Sequence, residues 1–113
     1  MSKNSGSLRE RVRQDRTTPD AFFVAVSIEF LIHHAASLKE KRRVVASVKD
    51  RLRARFNASV AEIGDLDHIQ HAALGMALVS NDRAVLEREV NAITRFMEEV
   101  RDIELVDVAW EWM

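Results

Sequence analysis

The strongest constraint on the fold is the run FFVAVSIEFLI at residues 22–32, in which large apolar side chains occupy every second position. Successive side chains of a β-strand point to opposite faces, so this alternation predicts a half-buried strand with one face in the core. The apolar face comprises Phe22, Val24, Val26, Ile28, Phe30 and Ile32. The opposite face, with Ala25, Ser27 and Glu29, is small and polar.

A helix start follows this strand. Ser37 precedes Glu40 by three residues, which is the spacing of a capping box that satisfies two free backbone N–H groups. At 100° per residue, one stripe of the following segment is apolar and suited to docking on a sheet. It comprises Leu38, Val44, Val45, Val48, Leu52 and Phe56.

The rest of the chain repeats this alternation of strand and helix. Residues 57–65 predict a second strand that ends at Gly64, and residues 71–80 predict a third that pairs with it as a hairpin. Ser80 and Asn81 are expected to cap a second helix, with Asp82 in its first turn and an apolar stripe along one side. That stripe is formed by Val85, Leu86, Val90, Ile93, Met97 and Val100.

A fourth strand is expected over residues 103–112, IELVDVAWEW. Strict alternation would place one set of side chains on each face of this strand. One set is Glu104, Val106, Val108, Trp110 and Trp112, and the other is Ile103, Leu105, Asp107 and Ala109.

The order β-α-β-β-α-β predicts an α+β fold of the ferredoxin-like type. Right-handed crossovers convert this order into one four-stranded antiparallel sheet with both helices on one face. Residues 21–113 form the single expected domain, and the polar residues 1–20, which lack apolar periodicity, are expected to be a flexible arm.

Several classes of function lack their residues. There is no cysteine, which excludes disulfides and thiolate metal sites, and no apolar run is long enough to span a membrane. We therefore expect a cytoplasmic protein without a membrane role. The glycines lie only at positions 6, 64 and 75, so no P-loop, GxxG loop or dinucleotide fingerprint exists.

Neither catalysis nor a cofactor is predicted. His68 and His71, near Asp65 and Asp67, could offer ligands to a divalent ion, but their HxxH spacing outside a helix favours ordinary loop histidines over a metal site. No nucleophile with a complementary base is evident. We therefore predict no catalytic residue, no metal, no cofactor and no enzymatic activity.

The first helix is strongly basic in a chain whose net charge is -1. Residues 37–56 contain eight basic and two acidic residues. Such cations can meet phosphates through charge and through bidentate guanidinium contacts, although a purely solvating helix face is the alternative interpretation. The predicted nucleic-acid-binding residues are Lys39, Arg42, Arg43, Lys49, Arg53 and Arg55.

The chain resembles the YlxP-like family of small uncharacterised bacterial proteins over about residues 22–110. The resemblance implies a ferredoxin-like fold. It also implies an RNA or ribosomal partner, since members tend to be encoded among translation and ribosome-maturation genes. Family members often have tryptophan where this chain has Ile69. The resemblance rests on SLKEKR at residues 37–42, FN at 56–57, VAE at 60–62 with Gly64, and VSN at 79–81.

Two functions therefore stand as predictions. The first is a non-enzymatic accessory protein that binds RNA or a ribosomal particle through the phosphate backbone. The alternative is a homo-oligomeric interaction module, such as a homodimer, in which the open sheet face packs on a second copy with help from Trp110 and Trp112.

Overall fold

A computed structural model describes residues 21–113. The expected arm, residues 1–20, lies outside the described residues. Within residues 21–113, no helix is both long and apolar enough to cross a membrane. The elements are β1 (Phe22–Leu31), α1 (Leu38–Arg55), β2 (Ser59–Gly64), β3 (His71–Ser80), α2 (Arg83–Glu98) and β4 (Glu104–Trp112).

The four strands form one antiparallel sheet in the order β2-β3-β1-β4. The first strand lies in the interior of the sheet and pairs with β3 on one side and β4 on the other. Helices α1 and α2 connect the outer strands to the inner ones. This is the ferredoxin-like α+β arrangement that the order of elements predicts.

The core lies between the sheet and the two helices. The apolar face of β1 is fully buried from Val24 to Phe30, as its alternation predicts. The helices close the core with buried side chains one or two turns apart. From α1 these are Val45, Val48 and Leu52, and from α2 they are Leu86, Val90, Ile93 and Met97.

The start of α1 is confirmed as a side-chain cap. The backbone N–H of Glu40 donates to Ser37 Oγ at 3.1 Å. The Glu40 carboxylate in turn accepts from the N–H of Ala36 at 2.7 Å, one residue earlier than a standard capping box. The first bond satisfies an N–H group that the helix itself leaves without a partner, and the second ties the residue before the cap to the first turn.

The start of α2 differs from the expectation. Ser80 and Asn81 were predicted as caps, but the N-cap is Asp82, whose Oδ1 accepts from the N–H of Ala84 at 3.0 Å. Ser80 acts one step earlier, because its Oγ accepts from the N–H of Asp82 at 3.0 Å. The helix therefore begins at Arg83, and β3 runs up to Ser80.

A bulge in β4 changes which side chains face the core. Leu105 pairs with Phe30 and Asp107 pairs with Glu29, so Val106 has no partner opposite it on β1. The prediction that Glu104 and Val106 share a face with Val108 is therefore wrong. The extra residue lets Leu105 pack beside buried Phe30, and it leaves Val106 51% exposed.

The two tryptophans lie on the helix side of the sheet. Trp110 pairs with Val26 and Trp112 with Val24, and both valines face the core. The two indole rings meet edge to face with centroids 5.6 Å apart, and the guanidinium of Arg83 lies 4.5 Å from the Trp112 ring centroid. The Trp112 ring packs against the core and Trp110, which is 43% exposed, lies beside it, so by register neither ring extends the open face of the sheet.

Replacing Ser37 by alanine should destabilise the domain by about 1 kcal/mol, because the N–H of Glu40 would lose its acceptor. Urea unfolding followed by tryptophan fluorescence measures this change. Ser47→Ala is the matched control, since Ser47 is exposed in the middle of α1. Equal stabilities of the two variants would contradict the capping role of Ser37.

Candidate nucleic-acid interface

One cation of α1 is not at the surface. Lys41 is 1% exposed and is the single buried charged residue among those that the structure describes. Its Nζ lies 3.3 Å from Glu62 Oε2 on β2, in an orientation that gives an ion pair but no hydrogen bond to that oxygen. The charge of Lys41 is therefore compensated inside the protein and is not available to a ligand.

Lys41 also fixes the start of the connection between β2 and β3. Its ammonium donates to the carbonyl oxygens of Asp65 and Leu66, the latter at 3.4 Å. Asp65 has a positive φ of 56°, a conformation that aspartate tolerates better than most residues. The ammonium therefore has two backbone carbonyl acceptors, and the Glu62 carboxylate at 3.3 Å compensates its charge.

Three cations of the predicted site lie on the flank of α1 next to the sheet edge β2. Arg53 donates from Nη2 to the carbonyl oxygen of Val60 at 2.8 Å, which places its guanidinium on that edge strand. Its Nη1 is also 3.7 Å from Asp50 Oδ1, one turn earlier. The other two cations on this flank are Arg42, which is exposed, and Lys49, which is half-buried.

The opposite flank of α1 faces α2. There the guanidinium groups of Arg51 and Arg55 lie 5.2 Å and 5.6 Å from the ring centroid of Phe96. This geometry is a cation–π contact, which positions the guanidinium planes without neutralising their charge. Arg55 therefore remains a cation at the surface. Beside it lies Arg51, which the site prediction did not include.

The two remaining cations of the site lie in the first half of α1 and point outward, between the two flanks. Lys39 and Arg43 are exposed, and no carboxylate in residues 21–113 pairs with them or with Arg42 and Lys49. Outside the core, α1 carries seven cations and two carboxylates. The structure thus leaves most of the positive charge of this helix uncompensated, and the assignment as a phosphate site stays a prediction.

The open face of the sheet has the opposite character. No strand between Phe22 and Trp112 contains lysine or arginine. Glu29, Asp107 and Glu111 alternate with core-facing residues, which places their carboxylates on this face. The described domain is therefore positive on its helical side at α1 and acidic on its open sheet face.

Two of the four histidines, His33 and His71, contact carboxylates. His71 lies between two carboxylates, with Nδ1 2.5 Å from Asp65 and Nε2 3.4 Å from Glu29. His33 Nε2 is 2.5 Å from Glu104. Residues 21–113 contain no group of three or more histidine, aspartate or glutamate side chains placed to hold a metal ion.

The sequence interpretation missed the role of Lys41, although a signal was present. Lys41 shares the helical spacing of Val45, Val48 and Leu52, so its position lies inside the buried stripe. A lysine at such a position requires a buried partner. Glu62, on the core side of β2 opposite Leu74, supplies it.

Lys41→Met should lower the free energy of unfolding by about 3 kcal/mol, because it leaves the Glu62 carboxylate without its cation in a largely desolvated site. Urea denaturation gives this value. Adding Glu62→Gln to Lys41→Met should recover part of the loss, since the unpaired charge is then removed. A Lys41→Met variant as stable as the parent protein would show that the pair does not support the fold.

Comparison with known proteins is consistent with this architecture. The family model described as "Protein of unknown function (DUF503)" matches residues 23–110. The chain is also 37% identical over 84 residues to "Uncharacterized protein YlxP" of Bacillus subtilis (strain 168), an alignment that covers 74% of this chain and 91% of that protein. The family match includes α1, β2, β3 and α2 completely and most of β1 and β4. The chain therefore belongs to the DUF503 family, as its resemblance to YlxP-like proteins implies.

Proposed function

We propose that this protein is a non-enzymatic accessory factor that binds structured RNA or a ribosomal particle through the outward face of α1. The binding residues are Lys39, Arg42, Arg43, Lys49, Arg53 and Arg55. The observation that supports this proposal is the absence of carboxylate partners for five of these six cations within residues 21–113, Arg53 being the exception.

The length of the basic face suits a polyanion with regularly spaced charges. From Lys39 to Arg55 the helix rises by about 24 Å, which is several times the spacing of phosphates along one strand. A guanidinium group can bind two phosphate oxygens at once. The Phe96 ring restrains the guanidinium groups of Arg51 and Arg55. A rigid helix therefore offers a row of cations whose ordering on binding costs little entropy.

The acidic side chains on the open sheet face favour an orientation in which the RNA lies against α1. The carboxylates of Glu29, Asp107 and Glu111 would repel phosphates from the open sheet face. The centre of that face also lacks the aromatic side chains on which RNA-recognition domains of similar topology stack bases, since Phe23 lies near the end of β1. The proposed mode is thus neutralisation of the phosphate backbone by α1, with little reading of base sequence.

Fluorescence anisotropy with a helical ribosomal RNA fragment and the full chain tests this proposal. Affinity should fall steeply with salt, because each phosphate contact releases counterions. The triple variant Arg42→Gln, Arg43→Gln and Lys49→Gln should weaken binding at low salt. It should also reduce the slope of log K against log salt by about one unit per lost contact.

A variant with the same change in net charge serves as the control. Arg88, Arg95 and Arg101 are exposed cations outside α1, and their replacement by glutamine should leave the affinity nearly unchanged. Absence of binding at low salt would overturn the proposal. Equal losses in the two triple variants would also overturn it, since they would show a response to net charge alone.

A further inference from the structure

The open face of the sheet is a surface without a partner among the described residues. The centre of this face consists of small side chains from all four strands, so few side-chain atoms project from it. These central residues are Ala25, Ser27, Ala61, Gly75, Ala77 and Ala109. They line a shallow depression of about 620 Å³.

Exposed apolar side chains lie in this depression and near it. Ile63, which lines it, is 58% exposed, and Val79, two positions beyond Ala77 on the same face of β3, is 52% exposed. Ile63 also lies over Gly75, where an added Cβ would come within 2.8 Å of Ile63 Cγ2. The absence of a side chain at Gly75 thus makes room for Ile63, which remains an exposed apolar contact point for another segment.

The charge of the open face limits what can pack there. The strands contribute Glu29, Asp107 and Glu111 to it and no lysine or arginine. A complementary segment therefore combines a few apolar side chains with several cations. A second copy stacked face to face would instead bring acidic surfaces together, which is unfavourable in a desolvated interface.

Residues 1–20 of this chain have the required chemistry. Their segment LRERVRQDR, residues 8–16, contains four arginines and two acidic residues. Its two apolar side chains, Leu8 and Val12, are separated by three residues.

The connection to β1 is long enough for this segment to reach the depression. Val12 lies ten positions before Phe22, and this stretch of chain can span up to about 33 Å. Along β1, Ser27 lies five residues beyond Phe22, a distance of about 17 Å. The chain between them can therefore turn back over the sheet and place Val12 above its centre.

We propose that residues 8–16 dock on the open sheet face of their own chain, with Leu8 and Val12 against its small residues. Arg9, Arg11, Arg13 and Arg16 then offset Glu29, Asp107 and Glu111. The docking is intramolecular, so the effective concentration of a short tether, about 1 mM, is available to it. This inference does not rest on the RNA-binding proposal, which uses the other side of the domain.

A single introduced cysteine reports on the docking, because the chain has no cysteine of its own. Ser27→Cys in the full chain places a thiol at the exposed centre of the open face. Its rate of alkylation by iodoacetamide, a neutral reagent, should be slow. Adding Arg9→Glu, Arg11→Glu, Arg13→Glu and Arg16→Glu should raise this rate about tenfold, as expected for a docking constant of about 0.1 mM.

The matched control reverses four charges elsewhere. In the Ser27→Cys chain, four glutamate substitutions on α1 should leave the alkylation rate unchanged. They replace Lys39, Arg42, Arg43 and Lys49. Circular dichroism verifies that each variant is folded, and Ala109→Cys, also exposed on the open face, replaces Ser27→Cys if the latter is not.

Three results would overturn the proposal. The first is rapid alkylation of the thiol in the Ser27→Cys chain whose four arginines are unchanged. The second is protection that survives reversal of the four arginines of residues 8–16. The third is protection that increases with protein concentration, which would assign the open face to a second copy and support the homo-oligomer alternative.

Discussion

The position of β1 inside the sheet determines what the rest of the domain can do. This strand pairs along its length with both β3 and β4, so its backbone is satisfied on both sides. Its strict alternation then makes one face of the sheet apolar and the other small and polar. Both helices must cover the apolar face to bury it. The two remaining surfaces, the outside of α1 and the bare side of the sheet, are consequences of that single pairing.

Charge is divided between these two surfaces in a way that the net charge of -1 conceals. The strands contain carboxylates and no lysine or arginine, whereas α1 carries seven cations outside the core. The buried pair of Lys41 and Glu62 joins the two layers where α1 crosses β2. A pair of this kind adds little net stability compared with apolar residues, but it penalises any register that separates its members. It therefore helps to specify how α1 lies on the sheet.

The two proposals assign different partners to surfaces of opposite charge. The outer face of α1 offers uncompensated cations on a rigid helix, which is suited to a phosphate backbone. The open sheet face offers carboxylates around a shallow apolar depression, which is suited to a basic segment with a few apolar side chains. If both hold, residues 1–20 occupy the acidic side of the domain and leave α1 as its principal surface for a polyanion. Membership of the DUF503 family, which is described only as of unknown function, leaves both assignments to experiment.

The sequence by itself determined the order of elements, the buried face of β1 and the cap of α1 at Ser37, because each depends on residues a few positions apart. The basic residues of α1 were also evident, and so was their excess over acidic residues. The spacing of Lys41 with Val45, Val48 and Leu52 placed it in the buried stripe, but its partner Glu62 was visible only in the tertiary structure, because Glu62 lies on a different element. The tertiary structure also decided that a bulge at Val106 turns Leu105 toward Phe30, and that both tryptophans face the helices. Periodicity is a property of local backbone geometry, whereas the register of β4 and the burial of a charge depend on pairing between distant segments.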